Sequence, residues 1–272
     1  MKTNHALLIA ALCLLTAGCK QSAESLIVKT MEVQYTARPS CQEKYNFRYD
    51  DEGRLAQVNR KEAYETEKYA SSWKYTYDKD SYAASVKINF MGKERTASAN
   101  FRGDYKSLIS LITPEDVSED SETGVVYLGN SWVGSYSFGN LVKAVFTEFT
   151  SDGIDSGELT WDEGLLVKYE GSDPSVFIEL KEFEYLDTPN PFTNVDPVAY
   201  LLGISPYYWE GLAGDRPTQL ISGYTKLVSD PWVEDLTIDH VDITYETDTD
   251  GRISHILQTV NGELETVLIL SY

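Results

Sequence analysis

Cysteine is scarce in this chain, three in 272 residues. Cys13 lies inside an N-terminal apolar run and Cys19 at its end, which leaves Cys41 alone in the body of the protein. One thiol makes no internal disulfide, and a zinc site built from cysteines alone is excluded. Histidine is equally scarce, and only His240 and His255 lie beyond the N-terminal segment, so a three-histidine metal site is excluded as well. Basic residues are outnumbered, 23 Lys and Arg against 43 Asp and Glu. Nucleic acid demands the reverse balance, because its phosphates are met by Lys and Arg, and adhesion to anionic lipid by charge is disfavoured for the same reason. Acidity of this degree serves the solubility of an exported protein. Also missing are a Gly-x-Ser-x-Gly elbow and a Walker loop. Carboxylate pairs are so numerous that spacing selects no glycosidase pair.

What is present begins at the N-terminus. Lys2 supplies a positive charge, Ala6 to Ala17 form an apolar run, and "LLTAGCK" closes it with small residues. The run falls short of the ~20 apolar residues that cross a bilayer and has the three parts of a secretory signal. With Cys19 at the cleavage point it resembles a bacterial lipoprotein signal. Ala17 and Gly18 fit that pattern; Thr16 stands where Leu is usual, with Leu15 one place early. Cys13 is a poorer candidate because bulky Leu12 precedes it. The competing reading is an ordinary signal peptide with a chance cysteine. The resemblance implies removal of residues 1–18, acylation of Cys19, a tether over 19–25, and a body over 26–272 treated as one β-rich domain.

Period-two alternation recurs through that body. Tyr45, Phe47 and Tyr49 share one parity, with Lys44, Asn46 and Arg48 on the other; Trp73, Tyr75 and Tyr77 alternate with Lys74, Thr76 and Asp78. "SVKINF" and "VDITYE" repeat the pattern. Strands that bury one face and wet the other belong to antiparallel sheets, and helices for parallel crossovers are too few. The connections share one grammar, seen in "YDDEGRL", "WDEGLL", "YETDTDGRI", "SFGNLV" and "VNGEL". A strand end meets polar residues, a Gly or Asn-Gly takes positive φ, and an apolar residue restarts the pairing. The uneven spacing of Gly53, Gly164 and Gly251 marks a meander rather than a strict repeat array.

Two strands change parity. Ile178 and Leu180 give way to Phe183 and Tyr185, and Leu236 and Ile238 to Val241 and Ile243; a β-bulge at each place is the expected cause. A many-stranded antiparallel meander with bulges should curl into an open or partial barrel. Three helical pieces are expected. "GDYKSLISLITP" starts at Asp104. "DPVAYLLG" has Asp196 as N-cap and Pro197 at the first helical position. "SPYYWEGLAG" repeats that logic. The last two make an insertion at about residues 191–214, bulky enough to fill a hollow.

The Tyr-Asp-x-x-Gly-Arg-Leu hairpins resemble the tyrosine-aspartate repeats of rearrangement-hot-spot proteins. Lipoprotein signal, aromatic strands with "GRL" turns, and an Asn190-Pro191-Phe192 lead-in to short helices together resemble a family of Bacteroidota lipoproteins of unknown function with a porin-like fold. The resemblance implies a porin-like antiparallel sheet and an exported location, and no catalytic residue. An outer-membrane barrel needs an apolar lipid-facing side, whereas the second face here carries Lys44, Arg48, Lys74, Asp78 and Lys87.

Four motifs invite sharper readings. Arg102-Gly103-Asp104 is the integrin-ligand tripeptide, but Asp104 has a ready role as a helix N-cap. Glu246, Asp248, Asp250 and Gly251 mimic a calcium loop, yet its twelfth position is Leu257 rather than a carboxylate, so a solvated turn is the simpler reading. His240, at a change of parity, is expected beside a bulge. Tyr207, Tyr208 and Trp209 are consecutive on an expected helix, where neighbours point about 100° apart. Either two fill the hollow and the third packs on a loop, or one offers a stacking face to a ligand.

The sequence thus describes an exported, lipid-anchored protein of the cell envelope, held to the outer membrane on its periplasmic or surface side. It reads as a monomeric, non-enzymatic binding module for a glycan, a peptide or an envelope protein, without cofactor or metal. The alternative is a carrier that holds a lipid or acyl chain in the hollow of a half-barrel. An interior filled by aromatic rings favours the first; an aliphatic cavity favours the second.

Overall fold

Alternation becomes strand almost everywhere the chain is seen. The computed structural model describes residues 26–64, 67–77, 81–90, 93–102, 108–112, 118–119, 126–127, 130–137, 140–148, 154–173, 177–193, 195–202, 217–230 and 235–272. The strands are β1 (Thr30–Tyr35), β2 (Gln42–Tyr49), β3 (Leu55–Tyr64), β4 (Glu67–Tyr77), β5 (Ser81–Phe90), β6 (Lys93–Arg102), β7 (Leu108–Ile112), β8 (Ser118–Glu119), β9 (Val126–Tyr127), β10 (Asn130–Ser137), β11 (Asn140–Glu148), β12 (Ile154–Asp162), β13 (Leu165–Asp173), β14 (Phe177–Pro189), β15 (Gln219–Asp230), β16 (Asp235–Thr247), β17 (Ile253–Val260) and β18 (Glu263–Ser271). Among the described residues one short helix, α1 (Val198–Leu202), lies between β14 and β15.

The mostly-β antiparallel meander expected from the sequence is what the chain forms. Each strand of the main sheet pairs with its sequence neighbours, β7 pairs with β10, and β8 and β9 form a separate ladder. The expected open or partial barrel has its two edges in contact. β1 pairs with β18 from Thr30 opposite Ser271 to Tyr35 opposite Thr266, and with β2 on its other edge, so the ladder returns to its start. β7 contributes to that ring. The helix expected from Asp104 is replaced over its described part by this strand, paired with both β6 and β10. Its Ile109 and Ile112 are β-branched, which favours a pleated surface over a helix.

Directly opposed residues of an antiparallel pair share a face, so burial on one strand orients its partners. Tyr45 and Phe47 are buried while Lys44 and Arg48 are exposed. Across the ladder Phe47 faces Val58 inside, and Lys44 faces Lys61 outside. Met31, Val33, Val241, Ile243, Ile256 and Leu268 continue the inner face. Against them packs α1, with Val198, Ala199, Leu201 and Leu202 all buried. The helix starts as expected: Asp196 Oδ1 accepts the Val198 N–H at 3.0 Å, and Pro197 needs no partner at N1. Five residues of helix have no stability of their own. Burying Val198, Leu201 and Leu202 contributes about 5–9 kcal/mol, which holds α1 in place as a plug.

The hairpin grammar has a physical basis that the sequence does not display. Asp50 Oδ1 accepts the Arg54 backbone N–H at 2.7 Å and its Oδ2 accepts Arg54 Nε at 2.7 Å, while Glu52 takes Arg54 Nη2 at 3.0 Å. Asp248, Asp250 and Arg252 repeat this arrangement. Each arginine then lies over a tyrosine ring, Arg54 on Tyr77 and Arg252 on Tyr272. Gly53, at φ 78°, sits where a side chain would be strained. The tyrosines at this end form a belt: Tyr49, Tyr77, Tyr185, Tyr245 and Tyr272 each donate a hydroxyl to a backbone carbonyl, of Val28, Leu55, Leu166, Ile221 and Ile253 respectively. This hairpin end is also where the chain enters at Leu26 and where the helical insertion begins.

The bulges fall elsewhere than expected. Register is continuous through Leu180–Phe183 and through Ile238–Val241. It shifts instead at Arg48/Tyr49, Ser135/Tyr136, Thr160/Trp161, Glu184/Tyr185 and Glu246/Thr247, close to the hairpin end, and at Gln258/Thr259 near the opposite end; bulges at a barrel rim sharpen twist. The two parity changes are therefore real changes of face. Leu180, Leu227 and Ile238 are mutually opposed on the outer wall, with Leu236 and Ile238 both more than half exposed.

Candidate functional site

Several residues singled out by sequence lie outside the described residues: Cys19, and Tyr207, Tyr208 and Trp209 of the insertion, as well as Gly103 and Asp104. Among the described residues no group of three or more His, Cys, Asp or Glu is placed to hold a metal. The calcium-like loop is a turn closed by Arg252. His240 is exposed on an unbroken stretch of β16, opposite Thr225, rather than at a bulge. Cys41 is buried with a free thiol.

The chemistry gathers inside the barrel instead. Glu43 has the parity of Tyr45 and Phe47 and is buried. Its carboxylate accepts hydrogen bonds from Tyr35 at 2.7 Å, Tyr45 at 2.6 Å, Tyr200 of α1 at 3.0 Å and Arg60 Nη2 at 2.9 Å. Arg60 also reaches Glu62 at 2.7 Å. Tyr35 and Tyr200 hydroxyls are themselves hydrogen-bonded. Burial works against the charge on Glu43, but the Tyr45 hydroxyl, the Arg60 guanidinium and the Tyr35 hydroxyl together hold its carboxyl below the ordinary range. Arg60 is likewise opposed by burial, and Tyr45, Glu43 and Glu62 more than offset that, so its pKa is raised. Burial, first among several causes, pushes Tyr35 up to about 12 and Tyr200 higher still, so both remain hydroxyl donors.

A second inward group lies on β14 and β15. Lys181 is buried, donates to the Leu202 carbonyl at 2.6 Å, and pairs with Glu179 at 3.3 Å. Lys226 reaches the same Glu179 at 3.1 Å. Gln258 Nε2 and the Tyr224 hydroxyl both donate to the Leu201 carbonyl. The exposed carbonyls at the C-terminal end of α1 are thus met by an ammonium, an amide and a phenol, the partners such an end favours. Burial pulls the Lys181 pKa down, and Glu179 only partly restores it.

These two groups show that the interior is not uniformly dry. Around α1 it is dry: Met31, Val33, Ile256 and Leu268 are at most 1% exposed. Arg60 and Lys226, which also face inward by register, keep 35% and 34% of their side chains exposed. Inward residues that keep this much exposure mean that the interior is not packed solid around α1. The arrangement offers carboxylates, cations and phenols to a hydrophilic guest. Sequence reasoning misses these residues, although a signal for them exists: Glu43, Arg60, Glu62, Glu179 and Lys181 all fall on the parity of buried aromatic or aliphatic residues.

No family model and no curated protein matches the sequence. Among solved structures, a porin-like protein from Bacteroides uniformis ATCC 8492 superposes with a TM-score of 0.58 at 10% identity, covering 91% of this chain and 98% of that one. A porin-like protein from Bacteroides vulgatus ATCC 8482 gives a TM-score of 0.41 at 15% identity, covering 91% and 99%. At 10% identity, what is shared with the first is the fold.

Proposed function

We propose that this chain is an exported lipoprotein of the cell envelope, acylated at Cys19, whose barrel is a non-enzymatic binding module for a glycan, a peptide or an envelope partner. The observation that carries this reading is the set of inward, partly exposed charges, Arg60 and Lys226 with Glu62 and Glu179, beside an apolar core filled by α1. A pore is disfavoured because α1 occupies the bore. A lipid-facing wall is disfavoured because Lys44, Arg48, Lys61 and Lys74 are exposed on the outside. The alternative, a carrier for an acyl chain, needs an empty aliphatic cavity. Here the described apolar interior is taken up by α1, Phe47, Phe183 and Tyr224, and Arg60 and Lys226 face inward partly exposed, charges that an alkyl chain would desolvate without repayment. The porin-like neighbours and the N-terminal signal support an envelope location. Tyr207, Tyr208 and Trp209 remain the candidates for a stacking face on a sugar ring.

Two measurements test the reading. Cys19→Ser should move the protein from the membrane fraction to the soluble one. That soluble form, screened on glycan and peptide arrays and against a fluorescent fatty acid, should retain a hydrophilic ligand and lose it when Lys226 is changed to Ala. Saturable uptake of the fatty acid with no array binding would transfer the case to the carrier.

A further inference from the structure

We infer that the hairpin end of the barrel faces the bilayer and that the opposite end, with the Asn261–Gly262 turn, points away from it. This rests on the proposed lipid attachment at Cys19. The placement follows from where the chain enters. Leu26 forms a parallel bridge with Phe192 and donates its N–H to the Pro191 carbonyl at 3.2 Å. Two residues on, the Val28 carbonyl is held by the Tyr49 hydroxyl at the hairpin end of β2. From Cys19 to Leu26 the tether reaches at most about 25 Å when fully extended. The far end is remote by comparison: β17 alone separates the Asp248–Arg252 turn from the turn at Asn261–Gly262. At about 3.3 Å per residue and an ordinary barrel tilt, its rise is about 20 Å.

The tether, not charge, makes the contact. Asp51, Glu52, Asp162, Glu163 and Asp250 are exposed at the hairpin end, and anionic headgroups repel such carboxylates over about 8 Å. The competing contact is the outer apolar ridge of Leu180, Leu227 and Ile238, which lies toward the other end. Docking by that ridge would bring the Asn261–Gly262 turn to the lipid.

The experiment uses the acylated full-length protein in phosphatidylcholine vesicles that carry a headgroup-linked energy acceptor. A donor dye is placed at Glu52→Cys or at Glu263→Cys, both exposed and at opposite ends; the parent, whose Cys41 is buried, serves as the labelling blank. Transfer should be more efficient from position 52, with an apparent distance to the acceptor plane shorter by about 20 Å. Equal transfer from the two positions, or greater transfer from position 263, overturns the orientation. Cys19→Ser should abolish transfer from both. If that variant stays on the vesicles, the anchor assignment fails and the orientation falls with it; release of the variant together with a reversed gradient overturns the orientation alone.

Discussion

Replacing Glu43 by Gln tests whether the buried carboxylate is the point at which α1 is fastened to the barrel wall. Its two oxygens accept from Tyr35, Tyr45, Tyr200 and Arg60. An amide of the same shape offers one oxygen and turns two N–H donors toward groups that are donors themselves. About two charge-assisted bonds are lost, at ~1.5–3 kcal/mol each. Arg60 is about one-third exposed and recovers some hydration, so the net cost falls to about 2–4 kcal/mol. In a chain of this size that lowers Tm by roughly 4–16 °C.

The pH dependence separates this mechanism from simple loss of packing. The folded Glu43 carboxyl titrates below its ordinary value. Its stabilisation is therefore complete above the unfolded pKa of about 4.3 and is lost as pH falls through the folded value. Urea midpoints measured from pH 7 down to pH 3 should show a gap between parent and Glu43→Gln that is full at neutral pH and closes below about 4.3. Tyr200→Phe removes one donor and should cost about 1 kcal/mol alone, but nearly nothing when combined with Glu43→Gln. A gap that stays constant over the whole range, or additive costs in the double variant, would refute the carboxylate as the fastening group.

Gly53→Val should destabilise by about 1–3 kcal/mol, since a β-branched residue is placed at positive φ; unchanged melting would mean that the hairpin tolerates another conformation. Gly223→Ala should fold poorly or not at all, because the new Cβ would overlap the Val241 carbonyl oxygen, a backbone atom that cannot step aside; circular dichroism and gel filtration of the expressed variant check this.

What could be read from the sequence was whatever repeats locally. Alternation located the strands, and the Asp50–Arg54 and Asp248–Arg252 segments announced their turns because Asp, Gly and Arg each have a fixed local task. Asp196 and Pro197 announced α1 for the same reason. What could not be read depends on contacts between distant residues. The pairing of β1 with β18 joins opposite ends of the chain. β7 is a strand because β6 and β10 flank it, although its spacing also suits a helix. The fastening group joins Glu43 to Tyr200 across 157 positions, and nothing near Glu43 distinguishes it from the other acids except its parity.

The places of the bulges and the inward turn of the charges share one cause, visible on β14. Apolar alternation taken alone would turn Ile178 and Leu180 inward and Lys181 outward. A slip of one residue would achieve that, but it reverses every side chain on the strand. Phe183, now buried, and Tyr185, bonded to Leu166, would be expelled. Burial alone is about even, two large apolar side chains lost for two gained at ~1.5–3 kcal/mol each, so the balance is tipped by the Tyr185 bond to the Leu166 carbonyl and the Lys181 bond to the Leu202 carbonyl, both of which would go. The aromatic end therefore sets the register. Leu180 must lie on the outer wall, and Glu179 and Lys181 must face the bore. The apolar ridge outside and the charged residues inside are two results of one choice of register.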